Sequence, residues 1–88
     1  MSHSMKIAFE NVDYYYMIGM NIAHYRRMAG LTQAQLAERA GVSRTHISFI
    51  EAPNMARPFS IELLFNIARV LNVPPYILLK DNKTSASV

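Results

Sequence analysis

Arginine is the residue type that offers most of the chemistry in this chain of 88 residues. Five arginines fall between residues 17 and 59, where two glutamates oppose them, and the whole chain carries a net charge of +3. A guanidinium group presents a planar fork of N–H donors that binds phosphate oxygens and also matches the O6 and N7 acceptors of guanine. The segment therefore has the charge expected of a nucleic-acid-binding surface, and its small excess favours moderate affinity per subunit.

Residue types that carry out catalysis or hold metals are sparse. His3, His24 and His46 lack the spacing of metal ligands, and the sequence contains no cysteine. The sequence also lacks a glycine-rich loop that could cradle a phosphate group. We therefore expect no enzymatic activity, no metal and no cofactor.

Two short helices joined by a glycine turn, predicted over residues 30–51, must position the arginines. Thr32 suits the N-cap of the first helix, and Gln35 three residues later can complete a reciprocal capping box. Gly41 follows the last apolar residue of this helix, where the left-handed conformation favours glycine. Ser43 is then placed to cap the second helix.

The apolar residues of this segment allow the two helices to pack on each other. Leu36 and Ala37 share a face of the first helix, and Ile47 and Ile50 share a face of the second. The small side chain of Ala37 permits a close crossing, and Val42 fills the corner. The joint spacing predicts a helix-turn-helix, the unit that places its second helix in the major groove of DNA.

Residues 17–80 resemble the Cro/cI-type (XRE-type) helix-turn-helix domain of the lambda-repressor-like fold. The residues that carry the resemblance are Ile18-Gly19, Ile22, Arg26, Gly30-Leu31-Thr32-Gln33, Leu36-Ala37, Gly41-Val42-Ser43, Ile47-Ser48, Ile50-Glu51, Arg57-Pro58, Ile67-Ala68, Leu71-Asn72-Val73 and Leu78-Leu79. The resemblance implies an all-α, compact five-helix domain with a short N-terminal arm. We assign residues 1–16 to the arm, in which Ser2-His3-Ser4 resembles vector-derived sequence, 17–80 to the domain, and 81–88 to a disordered tail.

Two interpretations of the segment before the first helix remain open. Apolar residues alternate with others from Met5 to Glu10, which is a short strand pattern. Alternatively, Asn11 or Asp13 caps an early start of the helix. Without such an early start, we expect the first helix to run from about Met17 to a stop at Gly30, with an inward face formed by Ile18, Ile22 and Ala29.

The last two helices are predicted from a cap and a proline. Ser60 is expected to cap the fourth helix, and Pro75 suits the first position of the fifth, where a missing N–H costs nothing. Their predicted core residues are Leu64, Ile67, Ala68, Leu71, Leu78 and Leu79.

Side chains on the second helix of the motif are predicted to contact DNA bases. Arg44 is the candidate for guanine, with Thr45 and Ser48 beside it. Phe49 is a departure from the family, in which a polar or basic residue is usual here. It either contacts thymine methyl groups or packs against the loop at Pro53.

Phosphate contacts are predicted for Gln33, Ser43, His46 and Arg57, and the resemblance implies the first of these most directly. The loop after the motif holds a single basic residue, and Asn21 stands where relatives often have a basic one. Both departures predict a shallow dependence of binding on salt.

Two further groups of residues are assigned roles outside DNA contact. The resemblance implies that Arg26 and Glu51 form a partly buried, structural salt bridge. Apolar residues remain after the core is filled, and such a surplus typically marks an interface. They predict a dimer interface formed by Ile61, Phe65, Tyr76 and Ile77, unless the N-terminal arm covers these side chains within one subunit.

The resemblance implies a sequence-specific, double-stranded-DNA-binding transcriptional regulator, interpreted as a repressor, that acts as a homodimer on a near-palindromic operator. Two alternatives remain: the antitoxin of a toxin–antitoxin pair, which regulates its own expression, and a protein-interaction module of the same fold. The sequence has no membrane span and no signal-peptide pattern. We therefore expect a cytoplasmic, nucleoid-associated protein.

Overall fold

Five α-helices build the part of the chain that the structure describes. The structure is a computed structural model and describes residues 7–52 and 57–81. A 3-10 turn at Phe9–Asn11 precedes the helices, and these described segments contain no strand. The helices are α1 (Val12–Met28), α2 (Gln33–Ala40), α3 (Arg44–Glu51), α4 (Ile61–Leu71) and α5 (Pro75–Leu78). The predicted all-α architecture of five helices is confirmed.

The first helix begins earlier than Met17. It starts at Val12, so residues 12–16, which we assigned to the arm, already belong to the helix. The early start is confirmed, but the expected cap is not, because the side chain of the N-cap residue Asn11 makes no capping hydrogen bond and Asp13 lies within the helix. The ring of Tyr15 packs edge-on against Phe59, with 5.6 Å between ring centroids, which ties this extra turn to the segment before α4. Of the predicted strand, Ile7 and Ala8 are irregular and residues 9–11 form the 3-10 turn, while Met5 and Lys6 lie outside the described residues.

The capping signals of the motif are all confirmed. Thr32 Oγ1 accepts a hydrogen bond from the backbone N–H of Gln35 at 3.0 Å, and Gln35 Oε1 accepts one from the Thr32 N–H at 2.9 Å. Gly41 ends α2 in the left-handed conformation at φ 79°. Ser43 Oγ accepts from the His46 N–H at 3.0 Å and so caps α3. Local residues thus set both ends of the turn.

The boundaries of the last two helices also follow local signals. Ser60 Oγ accepts from the Leu63 N–H at 3.0 Å, which confirms the predicted cap of α4. Asn72 ends α4 in the left-handed conformation at φ 59°, which asparagine tolerates better than most residues. Pro75 is the first residue of α5, as predicted. Residues 82–88 of the predicted tail lie outside the described residues.

One fully buried side chain from each helix forms the centre of the core: Ile22, Leu36, Ile47, Ile67 and Leu78. Two predicted core residues are wrong. Ala29 is exposed and Leu79 keeps 46% of its surface exposed, because each lies just beyond the last residue of its helix. None of the helices in residues 7–52 and 57–81 is long and apolar enough to cross a membrane.

Asn21 has a role in packing that the sequence did not predict. The sequence analysis noted only that relatives often have a basic residue at this position. It is buried, with 6% of its surface exposed. Its Nδ2 donates to the carbonyl oxygens of Leu78 at 3.0 Å and Lys80 at 2.8 Å. The amide therefore satisfies backbone acceptors at the end of α5 and fastens that helix to α1.

A glycine allows α1 and α3 to approach closely. A Cβ atom built on Gly19 would overlap the carbonyl oxygen of Ile50, a backbone atom that cannot swing aside. Gly19 therefore sets how near α1 lies to the last turn of α3, and so where α3 sits in the fold.

Candidate nucleic-acid interface

The exposed side of α3 carries the four residues predicted to contact bases. Arg44 and Thr45 are exposed in its first turn, and Ser48 and Phe49 are half-buried in the next. Residues four apart are neighbours on a helix, so Arg44 lies above Ser48 and Thr45 above Phe49. The structure therefore places all four on one continuous face, while Ile47 and Ile50 are buried in the core.

Ser43 and His46 flank the start of this face. The Ser43 hydroxyl accepts the His46 backbone N–H and still has its own O–H to donate. Ser43 is exposed and His46 is half-buried. Both lie at the N-terminal end of α3, where the helix dipole favours an anion.

A buried ion pair joins α1 to α3. Arg26 Nε donates to Glu51 Oε2 at 2.8 Å, and Arg26 Nη2 donates to Glu51 Oε1 at 3.0 Å. Arg26 Nη1 also donates to the carbonyl oxygen of Leu31 at 2.8 Å. The two side chains are 11% and 4% exposed, respectively. Because a carboxylate at a helix C-terminus is unfavourable by itself, the guanidinium offsets that charge while it fixes α3 against α1.

Gln33 belongs to the same network, which the sequence did not predict. Its Nε2 donates to Glu51 Oε1 at 2.9 Å, so this carboxylate oxygen accepts from both Gln33 and Arg26. One N–H and the amide oxygen of Gln33 make no hydrogen bond to the described residues. The network therefore connects the first residue of α2 to the last residue of α3, and it holds the two helices of the motif in register.

Arg57 lies against α3 through the ring of Phe49. Its Cζ atom lies 4.1 Å from the ring centroid, which is a cation–π contact. From the sequence we assigned separate roles to the two residues. They are eight positions apart, and the sequence does not predict how the loop between them returns to α3. Pro53, the other expected neighbour of Phe49, lies outside the described residues, as do residues 54–56.

The predicted dimer-interface residues expose a large apolar surface. Ile61 is 62% exposed, Phe65 46% and Tyr76 67%, while Ile77 is half-buried. They lie on α4 and α5, which pack against each other. The described part of the N-terminal segment thus leaves Ile61, Phe65 and Tyr76 largely exposed.

Comparisons with known proteins identify relatives of this chain that are transcriptional regulators. The family described as Helix-turn-helix matches residues 22–78. The HTH-type transcriptional regulator SinR of Bacillus subtilis (strain 168) is 38% identical over 65 residues, which cover 74% of this chain. The match spans 58% of the length of SinR, so this chain corresponds to little more than half of that protein.

Solved structures show the same arrangement of helices. A crystal structure of SinR, the master regulator for biofilm formation, in complex with DNA gives a TM-score of 0.65 at 38% identity over 72% of this chain and 98% of that one. The restriction-modification controller protein C.AhdI from Aeromonas hydrophila gives a TM-score of 0.67 at 25% identity over 73% of this chain and 94% of that one. These likenesses confirm the predicted lambda-repressor-like fold.

Proposed function

This chain belongs to the helix-turn-helix family, and we propose that it is a regulator of transcription that binds double-stranded DNA in a sequence-specific manner. The observation that carries the proposal is the exposed face of α3, where Arg44 and Thr45 project from the first turn. In helix-turn-helix proteins the N-terminal residues of the second helix meet base edges in the major groove. Two capped helix starts and the Arg26–Glu51–Gln33 network fasten α3 to α1 and α2.

Each residue of the surface has a distinct proposed role. Arg44 binds guanine through its fork of donors, with Thr45 and Ser48 at neighbouring positions. Ser43, His46, Gln33 and Arg57 contact phosphates and set the register of α3 on the duplex. Gln33 can do so with its remaining N–H while it stays bonded to Glu51.

We further propose that the active species is a homodimer that represses transcription by occupying a near-palindromic operator. A single motif reads few base pairs, and two copies related by a twofold axis read two half-sites about one helical turn apart. The exposed Ile61, Phe65 and Tyr76 and the half-buried Ile77 of α4 and α5 form the dimer interface.

Selection of binding sites from random duplex DNA tests this function. The purified protein should enrich a motif with twofold symmetry, because two copies of one surface read it. Enrichment of a motif without twofold symmetry would contradict the proposed homodimer but not DNA binding. No enrichment at low salt would contradict DNA binding altogether.

The same apolar residues favour a second kind of function, the binding of a different protein. A protein partner instead of a second copy could cover them, as expected for an antitoxin or for a protein-interaction module. A toxin gene next to the gene for this chain would favour the antitoxin. Co-purification of a stoichiometric partner, together with the absence of DNA selection, would favour the interaction module.

A further inference from the structure

The contact between Phe49 and Arg57 suggests how the segment after α3 takes part in DNA binding. Phe49 is fixed by α3, since its neighbour Ile50 is buried in the core. Arg57 is exposed and belongs to an irregular segment, where no helix restrains its side chain. The guanidinium lies on the aromatic face at 4.1 Å, well within cation–π range.

A stacked guanidinium keeps its hydrogen-bonding edge available. The cation–π contact uses the flat face of the group, whereas its N–H donors lie in the plane and point outward. No carboxylate among the described residues forms an ion pair with Arg57, and this side chain is exposed. Its in-plane donors can therefore bind an anionic oxygen without leaving the ring.

The backbone adds a second restraint. Pro58 follows Arg57 and disfavours the helical conformation for it, which limits the directions that its side chain can take. Ring and proline together reduce the freedom that a long arginine side chain would otherwise lose on binding. Arg57 is thus held beside α3 before DNA arrives.

We propose that Phe49 is a positioning residue that holds Arg57 in place to contact a DNA phosphate next to α3, and that it does not read thymine methyl groups. This inference rests on the proposed function. It also explains how an apolar residue can stand in a surface that otherwise needs donors: the ring supplies a platform, and the arginine supplies the charge.

A double-mutant cycle on the selected operator tests the proposal. Phe49→Leu should weaken binding roughly two- to fivefold, the range expected for an exposed cation–π contact. Arg57→Ala should weaken binding to all sequences alike and lower the salt slope by about one phosphate contact. In the Arg57→Ala background, Phe49→Leu should cause no further loss. Phe49→Tyr, which keeps the ring, should bind like the parent chain.

Two matched controls separate these effects from generic losses. Phe9→Leu changes a phenylalanine that is 89% exposed, and Arg69→Ala removes a charge that is bonded to Asn66 on α4. Neither should alter affinity or salt slope. In the free protein, the NMR signals of the Arg57 side chain should carry a ring-current shift that Phe49→Leu removes while the melting curve stays cooperative.

Several outcomes would overturn the inference. Additive losses in the cycle would mean that Phe49 and Arg57 act separately. A changed base preference in Phe49→Leu, or weaker binding of the parent chain when uracil replaces thymine in the site, would assign Phe49 to methyl contacts. If the parent chain binds no DNA at low salt, the proposed function fails and takes this inference with it. If the parent chain binds DNA and the losses in the double-mutant cycle are additive, the inference is overturned while the proposed function stands.

Discussion

At the scale of single residues, Glu51 is the side chain that joins the helices of the motif to each other and to α1. It accepts hydrogen bonds from Arg26 and Gln33, and thereby links the end of α1, the start of α2 and the end of α3. The described residues contain no buried side-chain N or O atom that lacks a hydrogen-bond partner. Removal of Arg26 or of Glu51 would therefore leave the other side chain buried without an opposite charge.

Arg26→Ala should destabilise the fold instead of only weakening DNA binding. It leaves the nearly buried Glu51 carboxylate without its guanidinium, a loss that costs about 3–5 kcal/mol in comparable pairs. Thermal denaturation should show a large drop in Tm, with no such drop for Arg27→Ala, the exposed neighbour. An Arg26→Ala protein that melts like the parent chain but fails to bind DNA would show that Arg26 contacts DNA.

At the scale of elements, some features of the fold depend on local sequence signals and others on contacts between residues that are far apart in the sequence. The caps at Thr32, Ser43 and Ser60 and the turn at Gly41 depend on residues within four positions, so the sequence sufficed to predict them. The role of Asn21 depends on carbonyl groups 57 and 59 positions away, and no local pattern encodes such a contact.

The same division explains what the sequence could not predict about the first helix and the candidate site. The early turn of α1 packs through Tyr15 on Phe59, which is distant in sequence. The stack of Arg57 on Phe49 likewise depends on how the intervening loop returns to α3. Residue types along α3 predicted which side chains share its exposed face, because helical periodicity alone determines that.

Gly19→Ala should destabilise the packing of α1 on α3. The added methyl group meets the Ile50 carbonyl oxygen, and overpacking of this kind typically costs about 1–3 kcal/mol even though alanine favours a helix more than glycine. Denaturant titration should show the loss, whereas Met20→Ala, an exposed change on the same helix, should show little. Equal or greater stability of Gly19→Ala would mean that the two helices are not in close contact.

At the scale of the whole molecule, the candidate base-reading residues and the candidate dimer-interface residues lie on different helices. The arginine at the start of α3 faces solvent, while exposed Ile61, Phe65 and Tyr76 lie on α4 and α5. This separation is what a dimeric DNA-binding protein needs, because association through one surface leaves the other free for the duplex.

Tyr76→Asp should weaken self-association. A carboxylate at the centre of an apolar interface would lose its hydration without gaining a partner. Sedimentation velocity over a range of concentrations should show a dimer for the parent chain and a shift towards monomer for the variant. Met28→Asp, at another exposed apolar position, should leave association unchanged. A parent chain that stays monomeric at all concentrations would contradict the interface.

The most direct test of the account compares Arg44→Ala with Arg69→Ala on two duplexes, the selected operator and a scrambled version of it. Loss of a bidentate contact with guanine costs about 1–3 kcal/mol, so Arg44→Ala should bind the operator roughly 5- to 150-fold more weakly, with little change on the scrambled duplex. Arg69→Ala removes the same charge away from α3 and should change neither affinity. Equal losses on both duplexes, or no loss on the operator, would contradict the claim that the first turn of α3 reads DNA sequence.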